Sequence, residues 1–414
     1  MANLLDYVRR AGGAGFLEEP VNEVDMACLT QLVYLPFGEA LKGEEELTLE
    51  AAGGRLAHVE ADKVYNVFFR KRLELMRVMM GLPRYAGMLL RDYVKEIDPE
   101  SEKQFCALTF KLPDGALVIS FEGTDTTLVG WKEDFNMSFE SPVPAQTAAC
   151  AYLERAAARD ETAPLMLTGH SKGGNLAVWA AAFSGKAARG RVEGVYSFDG
   201  PGLMDRDVET QEYAQVSERI RAYLPQDSLV GMLMRRHEPA IVVKSGAFSV
   251  LQHDLFSWEV EEEAPAFVRL PQLSRRAQMR DSVLDEWLGG ISLKERECFC
   301  DAVYRVLSAD ESHETLLDLV RPDPGAALRA LRALMDIDPV TRKMIRRALG
   351  SLFSGGAQSL MDAAREAVLD ALPDGWLKRD EDEGENPDET EAAPAPDGEA
   401  RQENGAGETP ASLP

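Results

Sequence analysis

Reactive residue types are most concentrated at Gly169-His170-Ser171-Lys172-Gly173. A serine with a glycine two positions to either side suits a sharp strand-to-helix turn that lifts the hydroxyl out of a sheet. Leu165 to Thr168 reads as a buried strand and Asn175 to Phe183 as a buried helix, so the string falls where such a turn belongs. Gly169 and Gly173 fit there because strand and helix approach too closely for side chains. The backbone N–H of Lys172 would then face any oxyanion formed on a carbonyl that Ser171 attacks. An ordinary glycine-rich connection is the bland alternative.

A serine hydroxyl needs a general base, and the base needs an acid to orient it. In this strand-turn-helix setting the chain order is Ser, then Asp or Glu, then His. Three histidines follow Ser171: His237, His253 and His313. His237 lies in a polar stretch after two arginines and His313 in a later helical region. His253 follows the strand-like run Ala240 to Val243 by a loop and is the expected base, with a satisfied core histidine as its alternative. Asp227 directly follows the strand-like run Ile220 to Leu224 and is the expected acid. Asp199, in Phe198-Asp-Gly-Pro-Gly202, is the alternative acid and otherwise a turn former. The second oxyanion donor should come from the loop after an earlier strand, which places Thr124 of Glu122-Gly-Thr-Asp125 as the candidate.

The elements that would position these residues are visible as alternating runs. Phe105 to Leu112 and Ala116 to Phe121 flank Leu112-Pro-Asp-Gly115 and read as a hairpin. Leu165 to Thr168, Val192 to Phe198, Ile220 to Leu224 and Ala240 to Val243 read as further strands, separated by helical stretches at 146–158, 175–183 and 209–220. That rhythm predicts a mainly parallel sheet covered by helices. From about Ser274 the pattern becomes Leu- and Ala-rich, with a capping box at Ser292-Leu-Lys-Glu295 and a capped proline start at Asp323-Pro324. The expected organisation is an α/β domain over 1–270, an all-α accessory region over 271–377 and a disordered acidic tail over 378–414.

Of the net charge of −25 over 414 residues, the segment Asp380 to Pro414 carries twelve acidic side chains against Arg401. The remainder is still acidic, which disfavours nucleic acid and anionic membranes as general partners. The five cysteines show neither disulfide-framework nor zinc spacing, and the few histidines form no ligand set, so no metal or organic cofactor is expected. Met1 to Pro20 lacks a basic start followed by an apolar run, and Leu176 to Phe183 is too short to cross a bilayer. A soluble, cytoplasmic protein without a transmembrane segment is the expectation.

Phe121-Glu-Gly-Thr124, Gly130-Trp-Lys-Glu-Asp-Phe135, the Ser171 turn, Asp227 and His253 occur in the order of the class 3, fungal-type lipases. The chain resembles that branch of the α/β-hydrolases over roughly residues 1 to 260. It is more similar still to the bacterial Mbeg-like, lipase-like proteins, through Asn3-Leu-Leu-Asp-Tyr7, Asn22-Glu-Val-Asp25, Phe110-Lys-Leu-Pro-Asp-Gly115, Gly130 to Ser138 and Gln252-His-Asp254. The resemblance implies an α/β-hydrolase fold, a Ser171, Asp227 and His253 triad, oxyanion donors at Thr124 and Lys172, and a lipid or small-molecule carboxylic ester as substrate. Trp131 and Asp134 would then hold the oxyanion loop, with a core tryptophan and a surface carboxylate as the alternative. Glu122 stands where lipases usually carry Arg, and the prolines that usually follow the acid are absent around Val230-Gly231. Two other readings stay open: a hydrolase-derived module that binds protein partners through the helical region or the tail, and a membrane-surface lipase with a lid from Met232-Leu-Met234 or 135–143.

Overall fold

The central strands read as largely apolar runs because they are buried on both faces, and successive side chains feed two different cores. Along Lys103–Lys111, Phe105 and Ala107 enter one core while Cys106, Leu108 and Phe110 enter the other. Leu117–Phe121 and Leu165–His170 divide in the same way, with Leu117, Ile119, Leu165 and Leu167 on one side and Val118 and Met166 on the other. In the computed structural model these strands belong to one sheet; residues 2–42, 45–56, 67–125, 127–278 and 292–307 are described.

The sheet has eight strands: β1 (Glu46–Thr48), β2 (Leu89–Asp98), β3 (Lys103–Lys111), β4 (Leu117–Phe121), β5 (Leu165–His170), β6 (Val192–Phe198), β7 (Ile220–Pro225) and β8 (Ala240–Val243). They lie side by side in chain order. Pairings from β1 to β4 are antiparallel, and those from β4 to β8 are parallel. The expected hairpin is β3 and β4, with Gly115 at φ 88° in its turn.

This sequential order explains the layering. Parallel crossovers are right-handed, so strands added always in one direction put every crossover helix on the same face. Helices Pro144–Arg159 and Lys172–Phe183 accordingly pack on each other and share one core. The opposite face must be covered by chain from outside the crossovers, and the N-terminal helices Leu4–Ala11, Glu23–Leu32 and Val67–Met79 supply that layer. Two of them start at capping boxes, Asn3 with Asp6 and Asn22 with Asp25. Asp25 continues inward to buried Arg84 at 2.5 Å, and accepts from the hydroxyls of Tyr7 at 3.1 Å and Tyr85 at 2.7 Å.

One helical expectation differs. The 209–220 stretch forms a short helix Gln211–Ala214 and a 3-10 turn Ser217–Arg219, since the Thr210 hydroxyl caps Tyr213 and Ile220 already pairs as β7. The Ser292 capping box is formed and opens the helix Leu293–Leu307. That helix packs on helix Leu128–Asn136, where Arg296 donates to the Ser138 carbonyl at 2.9 Å and Lys132 pairs with Asp301. The remaining helical region and the acidic tail lie outside the described residues. Among the described residues, no helix is long and apolar enough to cross a membrane.

Candidate active site

Each candidate residue sits just beyond the C-terminal end of a parallel strand, the edge at which open α/β sheets gather their sites. Gly123 and Thr124 follow β4, Ser171 follows β5, Asp199 follows β6 and Asp227 follows β7, while His253 lies in the 3-10 turn Ser249–His253 after β8.

Ser171 has φ 58° and ψ −132°, a left-handed backbone that a residue with a side chain adopts only under strain. The turn is held because Ser171 N–H donates to the Phe198 carbonyl at 3.0 Å and Gly174 N–H returns to the Ser171 carbonyl at 2.9 Å. A Cβ on Gly169 would lie 2.0 Å from the Gly173 carbonyl oxygen, and one on Gly173 would lie 2.2 Å from that of Phe121. Both glycines are therefore demanded by close backbone approach.

The imidazole of His253 meets Asp199. Nδ1 is 2.7 Å from Asp199 Oδ2, and Asp199 Oδ1 accepts from the Ser228 hydroxyl at 2.5 Å and the Gly231 N–H at 3.1 Å. This carboxylate is buried, with both oxygens engaged. Asp227 is occupied elsewhere: its carboxylate accepts from Gln252 Nε2 at 3.2 Å and from the Ser274 hydroxyl, and its own N–H donates to Gln252 Oε1 at 2.9 Å. The structure thus brings the alternative acid to His253. Asp227 instead braces the turn that carries the histidine, through the residue before it.

A second histidine supports the first. The His170 and His253 rings lie 4.3 Å apart, and His170 Nε2 is 2.7 Å from the His253 carbonyl. Because a carbonyl only accepts, Nε2 carries the proton and Nδ1 is left to accept from the Tyr34 hydroxyl at 3.4 Å. Burial first, then the charge that His253 can acquire, hold His170 well below the usual histidine range, so it stays neutral. Sequence reasoning had passed over His170 and Tyr34.

On the other side of Ser171, the Gly123 loop packs close enough that a Cβ on Gly123 would lie 3.1 Å from Ser171 Cβ. The Thr124 hydroxyl donates to Asp134, whose carboxyl is pushed up to about 6 by burial, with the positive charge of Lys172 pulling the other way. Among the described residues, neither the Thr124 nor the Lys172 backbone N–H donates to a protein acceptor. The Lys172 side chain runs inward, away from solvent, and meets Glu133 Oε2 at 3.0 Å. Glu122 is buried as well, 3.6 Å from Lys95 of β2.

Among the described residues, no cluster of His, Cys, Asp and Glu is placed to hold a metal ion. A family model described as Mbeg1-like matches residues 79–305, a span that includes β2 to β8 and every candidate residue above. No curated protein matches the chain. Among solved structures, that of M37 lipase matches at 14% identity, covering 51% of this chain and 70% of that one, with a TM-score of 0.32.

Proposed function

The chain belongs to the Mbeg1-like family, and from that premise and the arrangement around Ser171 we propose that it is a serine hydrolase of the α/β-hydrolase fold that cleaves carboxylic esters through an acyl-enzyme. The observation that carries the proposal is a strained, left-handed serine at a strand-to-helix turn, next in sequence to a histidine whose ring lies 4.3 Å from that of His253, itself oriented by a buried aspartate. On this reading Ser171 is the nucleophile, His253 the base and Asp199 the acid.

With Nδ1 engaged by Asp199, Nε2 is the nitrogen left to take the Ser171 proton. The Ser171 oxygen bonds to the ester carbonyl carbon, and the carbonyl oxygen becomes an oxyanion held by the N–H groups of Thr124 and Lys172. As the oxyanion collapses, the bond to the alcohol breaks and His253 returns its proton to that alcohol. Water, deprotonated by His253, then attacks the acyl-enzyme and releases the acid. Neutral His170 against the His253 ring adds no charge to oppose the imidazolium that forms.

A lipid or other apolar ester is the favoured substrate class. Phe248, 74% exposed, precedes the turn that carries His253, Leu251, 50% exposed, lies within it, and Leu229 is exposed two residues beyond Asp227. Apolar side chains held in water beside a site favour an apolar ligand.

Wild-type protein should hydrolyse short p-nitrophenyl esters and be labelled by a fluorophosphonate probe, and Ser171→Ala should lose both. Unchanged turnover in Ser171→Ala would overturn the mechanism. A wild-type chain that binds partners but neither labels nor turns over would instead support a hydrolase-derived binding module.

A further inference from the structure

Gln104 is the second residue of β3 and is buried, although its side chain is polar and no step of the reaction uses it. Lys172 Nζ donates to its backbone carbonyl at 2.9 Å and also to its side-chain Oε1, while Glu133 Oε2 accepts from its backbone N–H at 3.0 Å. A lysine ammonium only donates, so Oε1 must face Lys172 and the Nε2 amide group must face the other way. Nε2 donates to the Gly123 carbonyl at 3.3 Å.

The Gly123 carbonyl belongs to the peptide whose N–H is that of Thr124. In a trans peptide the C=O and N–H point in opposite directions, so fixing one end fixes the other. Gly123 N–H is itself held by the Tyr34 hydroxyl at 2.9 Å, which limits rotation of the neighbouring peptide too. The ammonium that locks the Gln104 amide belongs to Lys172, whose backbone N–H is the other proposed oxyanion donor.

We infer that Gln104 is a positioning residue for the oxyanion hole: through its bond to the Gly123 carbonyl it sets the direction of the Thr124 N–H, and through Lys172 it ties both donors to one buried network. The inference rests on the reading of Ser171 as nucleophile and of these two N–H groups as its oxyanion donors. The buried Lys172–Glu133 pair gains a purpose beyond stability, which such pairs seldom increase. It holds an amide that must not flip.

Gln104→Glu separates the two bonds, because a carboxylate still accepts from Lys172 but cannot donate to Gly123. Deleting an oxyanion donor outright costs about a hundredfold to a thousandfold in turnover. A donor released rather than deleted should cost about tenfold to a hundredfold, in kcat with KM within about twofold and thermal stability near wild type. Affinity for a trifluoromethyl ketone, which forms an oxyanion when Ser171 adds to it, should fall by the same factor. Gln104→Met, which lacks both bonds but adds no charge, provides a second variant with the same expected pattern. Wild-type kcat in either folded variant, or a rise in KM with kcat preserved, overturns the positioning role. Loss of folding in both would also overturn it in favour of a purely structural residue. Retained turnover in Ser171→Ala would overturn the parent reading and the inference with it, whereas the Gln104 outcomes bear on the inference alone.

Discussion

Replacing Asp199 by Asn tests the choice of acid, and the surrounding bonds predict how the new side chain would sit. Asp199 Oδ1 accepts from two donors, Ser228 Oγ and Gly231 N–H. The backbone N–H at 231 cannot reverse its role, so the introduced amide would keep its carbonyl oxygen there and turn its NH2 group toward His253. Nδ1 of His253 would then have to accept, which moves the imidazole proton to Nε2, the nitrogen that must take a proton from Ser171. The wrong tautomer in a serine triad costs about 10⁴ in kcat, which is close to 5 kcal/mol of activation free energy. Asp227→Asn leaves the Asp199–His253 pair in place and loosens one brace of the turn, so kcat should stay within about fivefold. The assay is steady-state hydrolysis of p-nitrophenyl butyrate by both variants, with thermal unfolding to verify that each folds. A greater loss in Asp227→Asn than in Asp199→Asn, with both folded, would refute the assignment.

His170 is held well below the usual histidine range in the folded protein, so below about pH 6.5 the unfolded chain binds a proton that the folded chain refuses. Its contribution to stability is present above that pH and lost as pH falls. His170→Phe keeps a ring against His253 and should flatten this fall in urea titrations between pH 6.5 and 4.5; an unchanged slope would refute the assignment. Asp134 has the opposite sign, since its carboxyl is raised to about 6 by burial. Its stabilising effect is full below the ordinary aspartate range near 3.8 and is lost as pH rises through about 6, so Asp134→Asn should gain on wild type across that window in the same titration. Gly169→Ala would drive a Cβ to 2.0 Å from the Gly173 carbonyl oxygen and should cost about 2–3 kcal/mol in chemical denaturation; a neutral result would show that the turn relaxes.

Strands β3 to β8 were legible, the central ones because burial on both faces leaves them largely apolar, whereas β1 and β2, with exposed and charged positions, were not read from the sequence. Val192–Phe198 and Ala240–Val243 have the bounds that their sequence suggests. The turn after β5 was legible for a related reason, as glycines at 169 and 173 answer to local backbone contacts. The N-terminal layer was less so. Asn3-Leu-Leu-Asp6 and Asn22-Glu-Val-Asp25 stood out only as a likeness to other proteins, although the same spacing is that of a capping box.

The proposed acid was the harder inference because Asp199 and Asp227 both end a strand and both precede His253 in the chain. What separates them is non-local. Asp199 turns into a left-handed backbone at φ 47° and finds donors from a loop about thirty residues on, while Gln252 and Ser274 claim Asp227. A short-range cue did exist: Phe198-Asp-Gly-Pro-Gly202 forces a tight turn just where β6 passes Ser171, and Phe198 and Ser171 are hydrogen-bonded neighbours there. Gln104 offers no such cue. Its importance arises from a lysine 68 residues away and a carbonyl 19 residues away, contacts that exist only once β3, β4 and β5 lie side by side. Residues that act on the reacting atoms announce themselves by type, whereas those that orient them are ordinary polar residues whose function is set by the fold.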